Sequence, residues 1–225
     1  MTSASDRLGH LEQAIYSKVL EVIRLLRESN QRIVLAESCT GGLVSAAFTS
    51  VPGVSDVFCG SMVVYRNDTK SKWLGLDEHM LAEPKIGPVS PQASEELARK
   101  VLLLTPEANL ALSITGHLGP NAPAALNRKV FFAGVHREPK SEPQSPNNQG
   151  LGLLGREPGK QPLIHSQECN LERSRFFNAN LSDNRRFLQS LALWETLCFG
   201  EATLNFLKIV EFAPNSNFLK KNDDI

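Results

Sequence analysis

The stretch Val34-Leu35-Ala36-Glu37-Ser38-Cys39-Thr40-Gly41-Gly42, followed by the small-residue run from Leu43 to Thr49, decides how this chain is read. The apolar, β-branched run from Arg32 to Ala36 has the character of a buried strand. It feeds a hydroxyl-rich turn, and two glycines open a helix that Pro52-Gly53 ends. A strand entering a helix through a tight turn is the unit from which α/β sheets are wound, and ligands of such sheets bind at the strand C-terminal ends. Ser38 stands at such an end. On spacing alone it is either a hydroxyl presented to a ligand or the N-cap of the following helix. The helix-start amides at Gly41 and Gly42 suit an anion or a developing oxyanion. No Gly-Lys-Ser or Gly-Lys-Thr follows, which excludes a nucleotide P-loop, and glycines do not flank the serine at nucleophile-elbow spacing.

Outward from this segment, helices and strands alternate. Leu8, Leu11, Ile15, Val19, Val22, Ile23 and Leu26 recur at helical spacing, giving an amphipathic first helix that ends near Glu28 or Ser29. Gly60 to Tyr65 reads as a second strand and Asp68 to Leu74 as a short helix. Ser90 before Pro91 starts a helix that runs to about Leu104. Asn109 to Ile114 and Lys129 to Val135 are two further strands. Another strand lies within Leu163 to Asn180. Ser182 or Asp183 caps a long final helix with a buried face of Phe187, Leu188, Leu191, Leu193, Trp194, Leu197, Leu204 and Phe206. This order favours a sheet with helices on both faces. Between Glu138 and Pro162, Pro, Gly, Asn, Gln and Ser dominate without apolar period, so a long mobile insertion is expected over 138–162, and a loose tail over 214–225.

Composition limits the function classes. The 24 Lys and Arg residues balance 24 Asp and Glu, which argues against a large basic face and hence against nucleic acid as partner. The four cysteines and five histidines lack metal-ligand or redox spacing, so neither a metal nor another cofactor is expected. No apolar run is long enough to cross a bilayer, and Met1 is followed by polar residues rather than a basic-then-apolar leader. Reduced thiols, a cytoplasmic location and no membrane partner are the corresponding expectations.

Two further segments carry chemistry. In Tyr65-Arg66-Asn67-Asp68-Thr69-Lys70, tyrosine ends a strand and lysine lies about one turn into the short helix after it. A lysine acts as general base only when neutral, which requires desolvation or a nearby positive charge to bring it down from a pKa of about 10.4. The phenol would relay or orient the proton. The plain alternative is a surface lysine beside a half-buried tyrosine. The Tyr-to-Lys interval is one residue longer than in short-chain dehydrogenases, and no glycine-rich dinucleotide turn precedes it, so an oxidoreductase is rejected. Ile114-Thr115-Gly116-His117-Leu118-Gly119-Pro120 forms a rigid loop at a strand end, where Thr115 donates to a ligand or the loop is merely structural. Glu37 is read as supporting the turn electrostatically or orienting Lys70, with no catalytic role. Cys39 is read as a packing residue rather than a thiol nucleophile. His117 either touches substrate or is satisfied within its loop.

Together these segments resemble the CinA C-terminal domain family. The resemblance rests on Ala36-Glu37-Ser38-Cys39-Thr40-Gly41-Gly42, Pro52-Gly53-Val54-Ser55, Tyr65 with Lys70 at the family's interval, Val89-Ser90, and Thr115-Gly116 with Gly119-Pro120. It covers roughly Leu8 to Val135 and, more weakly, the last helix. It implies a single-domain three-layer α/β/α sandwich with a mixed sheet, its core at 8–137 and 163–210. It also implies a serine amidohydrolase that converts nicotinamide mononucleotide to nicotinate mononucleotide and ammonia. Carried over, Ser38 is the nucleophile, Lys70 its base and Tyr65 an auxiliary. Thr40, Gly41, Gly42, Thr115, Gly116 and Arg185 are the expected substrate contacts, the small-molecule nucleotide is the partner, and the chain forms a homodimer.

This chain departs from the family pattern on the substrate side. Asn121 to Arg128 replaces a stretch with more glycines and a Lys-Pro pair, His117 replaces an apolar residue, and Ser182-Asp183-Asn184 stands where Gly-Asp-Arg is usual, with Arg185 as the nearest arginine. These changes motivate a second reading, a catalytically altered nucleotide-binding or interaction module. A third makes 138–162 a docking segment for a protein partner.

Overall fold

The computed structural model describes residues 4–119, 122–137, 163–174 and 185–212. The expected insertion at 138–162, the tail at 214–225 and the proposed caps Ser182 and Asp183 lie outside them. In chain order the elements are α1 (Ala4–Glu28), β1 (Ile33–Glu37), α2 (Leu43–Thr49), β2 (Phe58–Val63), α3 (Asn67–Leu74), α4 (Glu78–Ala82), α5 (Pro91–Leu104), β3 (Leu110–Gly116), β4 (Lys129–His136), β5 (Leu163–Asn170) and α6 (Arg185–Phe212).

The five strands form one mixed sheet in the order β2-β1-β3-β4-β5. β1 is parallel to both β2 and β3, while β4 runs antiparallel to β3 and to β5. Because β1 is an interior strand flanked by β2 and β3, every one of its residues is buried, and alternate side chains feed two separate cores. Ile33 and Leu35 join Leu110, Leu112, Ile114, Val130 and Phe132 under α1, α2 and α6. Val34 and Ala36 join Ala111, Ala133 and Val135 under α5, with Leu74 of α3 and Leu81 of α4. This is the expected three-layer α/β/α sandwich.

The helices follow their sequence patterns. The buried stripe of α1 is Leu11, Ile15, Val19, Val22, Ile23 and Leu26, and Lys18 on its flank pairs with Glu201 of α6 at 2.6 Å. Helix α5 starts as expected: Ser90 Oγ accepts from the Ala93 amide at 3.1 Å, with Pro91 in the first turn. Phe187, Leu188, Leu191, Leu193, Trp194, Leu197 and Leu204 of α6 are buried, and Phe206 is half-buried beside the His165 ring.

Most bounds fall within one or two residues of expectation, and the clearest differences concern β2 and an added helix. β2 begins at Phe58, before Gly60, because an irregularity in its pairing with β1 lets Ile33 face Phe58 and Val34 face Gly60. It ends at Val63, where the Val64 amide donates to Glu37 O and the chain turns into α3. Helix α4 was not expected; Asp77 caps it, its carboxylate accepting from the His79 amide at 2.7 Å.

The sheet has a chemical end and a plain end. The C-terminal ends of β1, β2 and β3 meet at Ser38, whose amide donates to Ile114 O at 3.0 Å. At the opposite end, His136 of β4 faces Leu163 of β5. There the His136 ring lies 3.1 Å from Gln31 Oε1, and the Arg137 guanidinium donates to Leu102 O.

Candidate active site

Ser38 directly follows β1, and its Oγ lies 3.0 Å from Lys70 Nζ. Lys70 reaches it from the first turns of α3, which β2 delivers beside β1. The ammonium nitrogen also meets Val64 O at 3.0 Å and Tyr65 O at 3.2 Å. Lys70 is 2% exposed and Ser38 5%. Burial pulls the Lys70 pKa down from 10.5 to about 8. The surface-lysine alternative is therefore wrong. With two N–H bonds directed at backbone carbonyls, the lone pair of a neutral Lys70 amine is left for the Ser38 hydroxyl.

The turn around Ser38 is organised by Glu37, which is 1% exposed. Its Oε2 accepts from Thr40 Oγ1 at 2.8 Å and from the amides of Gly42 and Val44, each at 3.1 Å. Its Oε1 accepts from the Ser45 amide at 2.8 Å and from Ser61 Oγ at 3.2 Å. The protein thus places its own anion at the α2 start, where unpaired amides and the helix dipole favour negative charge. Gly41 and Gly42 adopt left-handed φ of 64° and 99°, which lets the chain curl around this carboxylate. The Gly41 amide donates to Ser38 O at 3.1 Å and the Gly42 amide to Glu37. These amides are engaged within the turn, so the oxyanion role expected for them is corrected. Nor is Ser38 the helix cap; Glu37 does that work. Of its two expected supporting roles, the structure gives Glu37 the turn and not the orientation of Lys70.

Tyr65 is 56% exposed. Its carbonyl holds Lys70, but its hydroxyl accepts from Arg185 Nη2 at 2.8 Å, so the phenol faces the site mouth rather than the lysine. Arg185 opens the described part of α6, bonds Gly119 O at 3.3 Å, and has its guanidinium carbon 6.0 Å from the Tyr65 ring centre. One helical turn later, Gln189 Nε2 donates to Cys39 O at 3.2 Å. Sequence reasoning missed Gln189, although its spacing from Arg185 puts both on one helix face.

The remaining expected contacts are enclosed. The Thr115 hydroxyl is fully buried and donates to Pro88 O at 2.9 Å. Gly116 faces Val130 in the β3–β4 ladder, where an added Cβ would meet Val130 Cγ1 at 2.5 Å and Lys129 O at 2.8 Å. The Thr40 hydroxyl is held by Glu37. Cys39 is buried, and burial pushes its thiol up to about 12, which leaves no thiolate at neutral pH. Burial, and then the charge of Lys70, lower the His117 pKa, so His117 stands neutral near the site. Among the described residues no group of three or more His, Cys, Asp or Glu side chains is placed to hold a metal, and no helix is long and apolar enough to cross a membrane.

A family model described as the CinA C-terminal domain matches residues 16–139, more than half of the chain. The chain belongs to the CinA C-terminal domain family. This CinA domain is similar to a CinA-like protein of Thermotoga neapolitana, 43% identical over 100 residues that make up 44% of this chain and 24% of that protein. It is also similar to a putative competence-damage inducible protein of Caldicellulosiruptor bescii, 41% identical over 117 residues, 51% of this chain and 28% of that protein. The CinA domain thus spans about a quarter of the length of these curated relatives. Among solved structures it is similar to a CinA superfamily protein of Klebsiella pneumoniae, with a TM-score of 0.65 and 20% identity over 85% of this chain and 98% of that one. A competence/damage inducible protein of Agrobacterium tumefaciens gives a TM-score of 0.64 and 23% identity over 85% and 96%. At these identities the likeness is one of fold.

Proposed function

We propose that this CinA domain is a serine amidohydrolase acting on nicotinamide mononucleotide. The observation that carries the reading is the 3.0 Å approach of a buried, easily neutralised Lys70 amine to Ser38 Oγ. Lys70 takes the hydroxyl proton as Oγ attacks the carboxamide carbon. The resulting ammonium returns that proton to the amide nitrogen, the C–N bond breaks, and ammonia leaves an ester on Ser38. Water, deprotonated by Lys70, then attacks the ester, releasing nicotinate mononucleotide and restoring the hydroxyl. Arg185, an exposed cation beside Tyr65, supports an anionic substrate and suits its phosphate. Because Glu37 already neutralises the α2 start, the phosphate has no place there, and the neutral carboxamide is the group that fits beside Ser38. The family resemblance supports the same reading, and with it a homodimer, to be measured by sedimentation.

The test is ammonia release from nicotinamide mononucleotide by the purified chain against a Ser38→Ala control. Equal release from both rejects the reading. The engagement of the Gly41 and Gly42 amides favours a second reading, a nucleotide-binding module without turnover. Tight binding that survives both Ser38→Ala and Lys70→Ala, with no hydrolysis by the wild type, would establish it.

A further inference from the structure

We propose that Glu37 is a positioning residue for the Ser38 nucleophile, an inference that rests on the amidohydrolase reading above. Lys70 is fixed by one frame, the carbonyls of Val64 and Tyr65. Ser38 must be held by another, and the adjoining side chain supplies it. The Glu37 carboxylate ties residues 40, 42, 44 and 45 of the turn and α2 to Ser61 of β2, which brackets Ser38 between fixed points on both sides. The two frames meet at the same residue: the Val64 amide donates to Glu37 O at 2.8 Å, and Val64 O in turn receives Lys70 Nζ.

Without the carboxylate, the turn retains the Gly41 amide on Ser38 O, the Ser38 amide on Ile114 O and Gln189 on Cys39 O. The amides of Gly42, Val44 and Ser45 would lose their acceptor. Two left-handed glycines give the backbone freedom to swing there. A displacement of about 1 Å at a nucleophile lowers the chemical step by about a hundredfold while leaving remote substrate contacts alone. The effect of Glu37 therefore belongs in kcat, not in KM. In Glu37→Gln one oxygen becomes an amide nitrogen that cannot accept, so the charge and at least one of these acceptors are lost within an unchanged volume.

The experiment measures the rate at which a fluorophosphonate modifies Ser38, followed by intact mass with Ser38→Ala as blank, together with kcat and KM for nicotinamide mononucleotide and the Tm. Glu37→Gln is expected to slow labelling and kcat by about tenfold or more with KM changed less than about twofold. Thr40→Val, which removes one hydroxyl from the carboxylate, is expected to give a smaller fall in the same two rates. Asn109→Ala removes the acceptor of the Arg32 amide at the opposite end of the sheet. It is expected to lower Tm without slowing labelling. Glu37→Gln and Thr40→Val that label as fast as wild type would reduce Glu37 to a structural cap and overturn the proposal. If Glu37→Gln does not fold, Thr40→Val decides alone. A wild type whose Ser38 is not labelled and which releases no ammonia overturns the amidohydrolase reading itself, and that failure is distinguishable because it precedes any substitution.

Discussion

Lys70 Nζ stands 3.0 Å from Ser38 Oγ although 32 positions separate the two residues. The parallel pairing of β1 with β2 brings this about: both strands end at the same edge, one releasing Ser38 and the other leading into α3. The lysine arrives in a pocket that strips its water, so the amine loses its proton near pH 8 rather than above 10.

Activity should follow that proton. In the proposed role of general base, Lys70 works only when neutral, so kcat/KM for nicotinamide mononucleotide is expected to rise with pH through about 8 and then level. Lys70→Arg, which stays charged, should lose activity by at least about a hundredfold at every pH. A pH–rate series on both proteins checks this.

Stability should move in the same window, with a sign set by proton counting. The Lys70 pKa is about 8 in the folded chain and near 10.5 when unfolded. Between these values the unfolded chain binds the extra proton, so stability is level below about 8 and climbs as pH rises towards 10.5. The gain is on the order of 3 kcal/mol. Lys70→Met should flatten that climb and leave stability at pH 7 unchanged or higher, since it removes a buried charge. Urea unfolding at a series of pH values measures both.

Arg185 and Tyr65 lie at the mouth, and their contribution should be to binding. Arg185→Ala is expected to raise KM for the nucleotide about tenfold with little change in kcat, and to affect the riboside without phosphate far less. Tyr65→Phe, which removes the hydroxyl that Arg185 bonds, should act in the same direction more weakly. Steady-state kinetics on the two substrates decide; equal effects on both would reject the phosphate contact.

Two glycines separate a conformational demand from a steric one. Gly42→Ala forces a side chain onto φ 99° and should cost about 1–2 kcal/mol. Gly116→Ala drives a methyl into β4 backbone at 2.8 Å and should cost about 3 kcal/mol or more. Urea denaturation of each against wild type gives the comparison.

The layered fold was legible because its signals are local. The stripe of α1, the Ser90-Pro91 start of α5 and the unbroken apolar run of β1 each need only near neighbours in sequence to be recognised. The site was legible in part. Ser38 and Lys70 have residue types and strand-end positions that point to chemistry, and the structure joins them. What sequence alone could not settle was which groups satisfy one another across the fold. Glu37 reads from sequence as a support of the turn or of Lys70, but nothing in the sequence shows that it reaches forward to the Ser45 amide and sideways to Ser61, so amides assigned to an oxyanion were already taken. Thr115 and Gly116 matched a ligand loop by type, yet a buried bond to Pro88 and the closeness of β4 account for both. Gln189 carried no motif, and only the approach of α6 to Cys39 gives it a role. Helix α4 carried the right cap in Asp77, but it is a short helix, where periodicity gives little signal.

The segment between His136 and Leu163 joins β4 to β5 at the end of the sheet farthest from Ser38. Its attachment points are held there by pairing between the two strands, not by anything in the reactive corner. Lengthening, trimming or replacing that connection is expected to leave the 3.0 Å spacing of the serine and lysine unchanged. It is therefore the natural splice point of this domain, the place to graft a tag, a reporter or a foreign module at a distance from the serine and lysine.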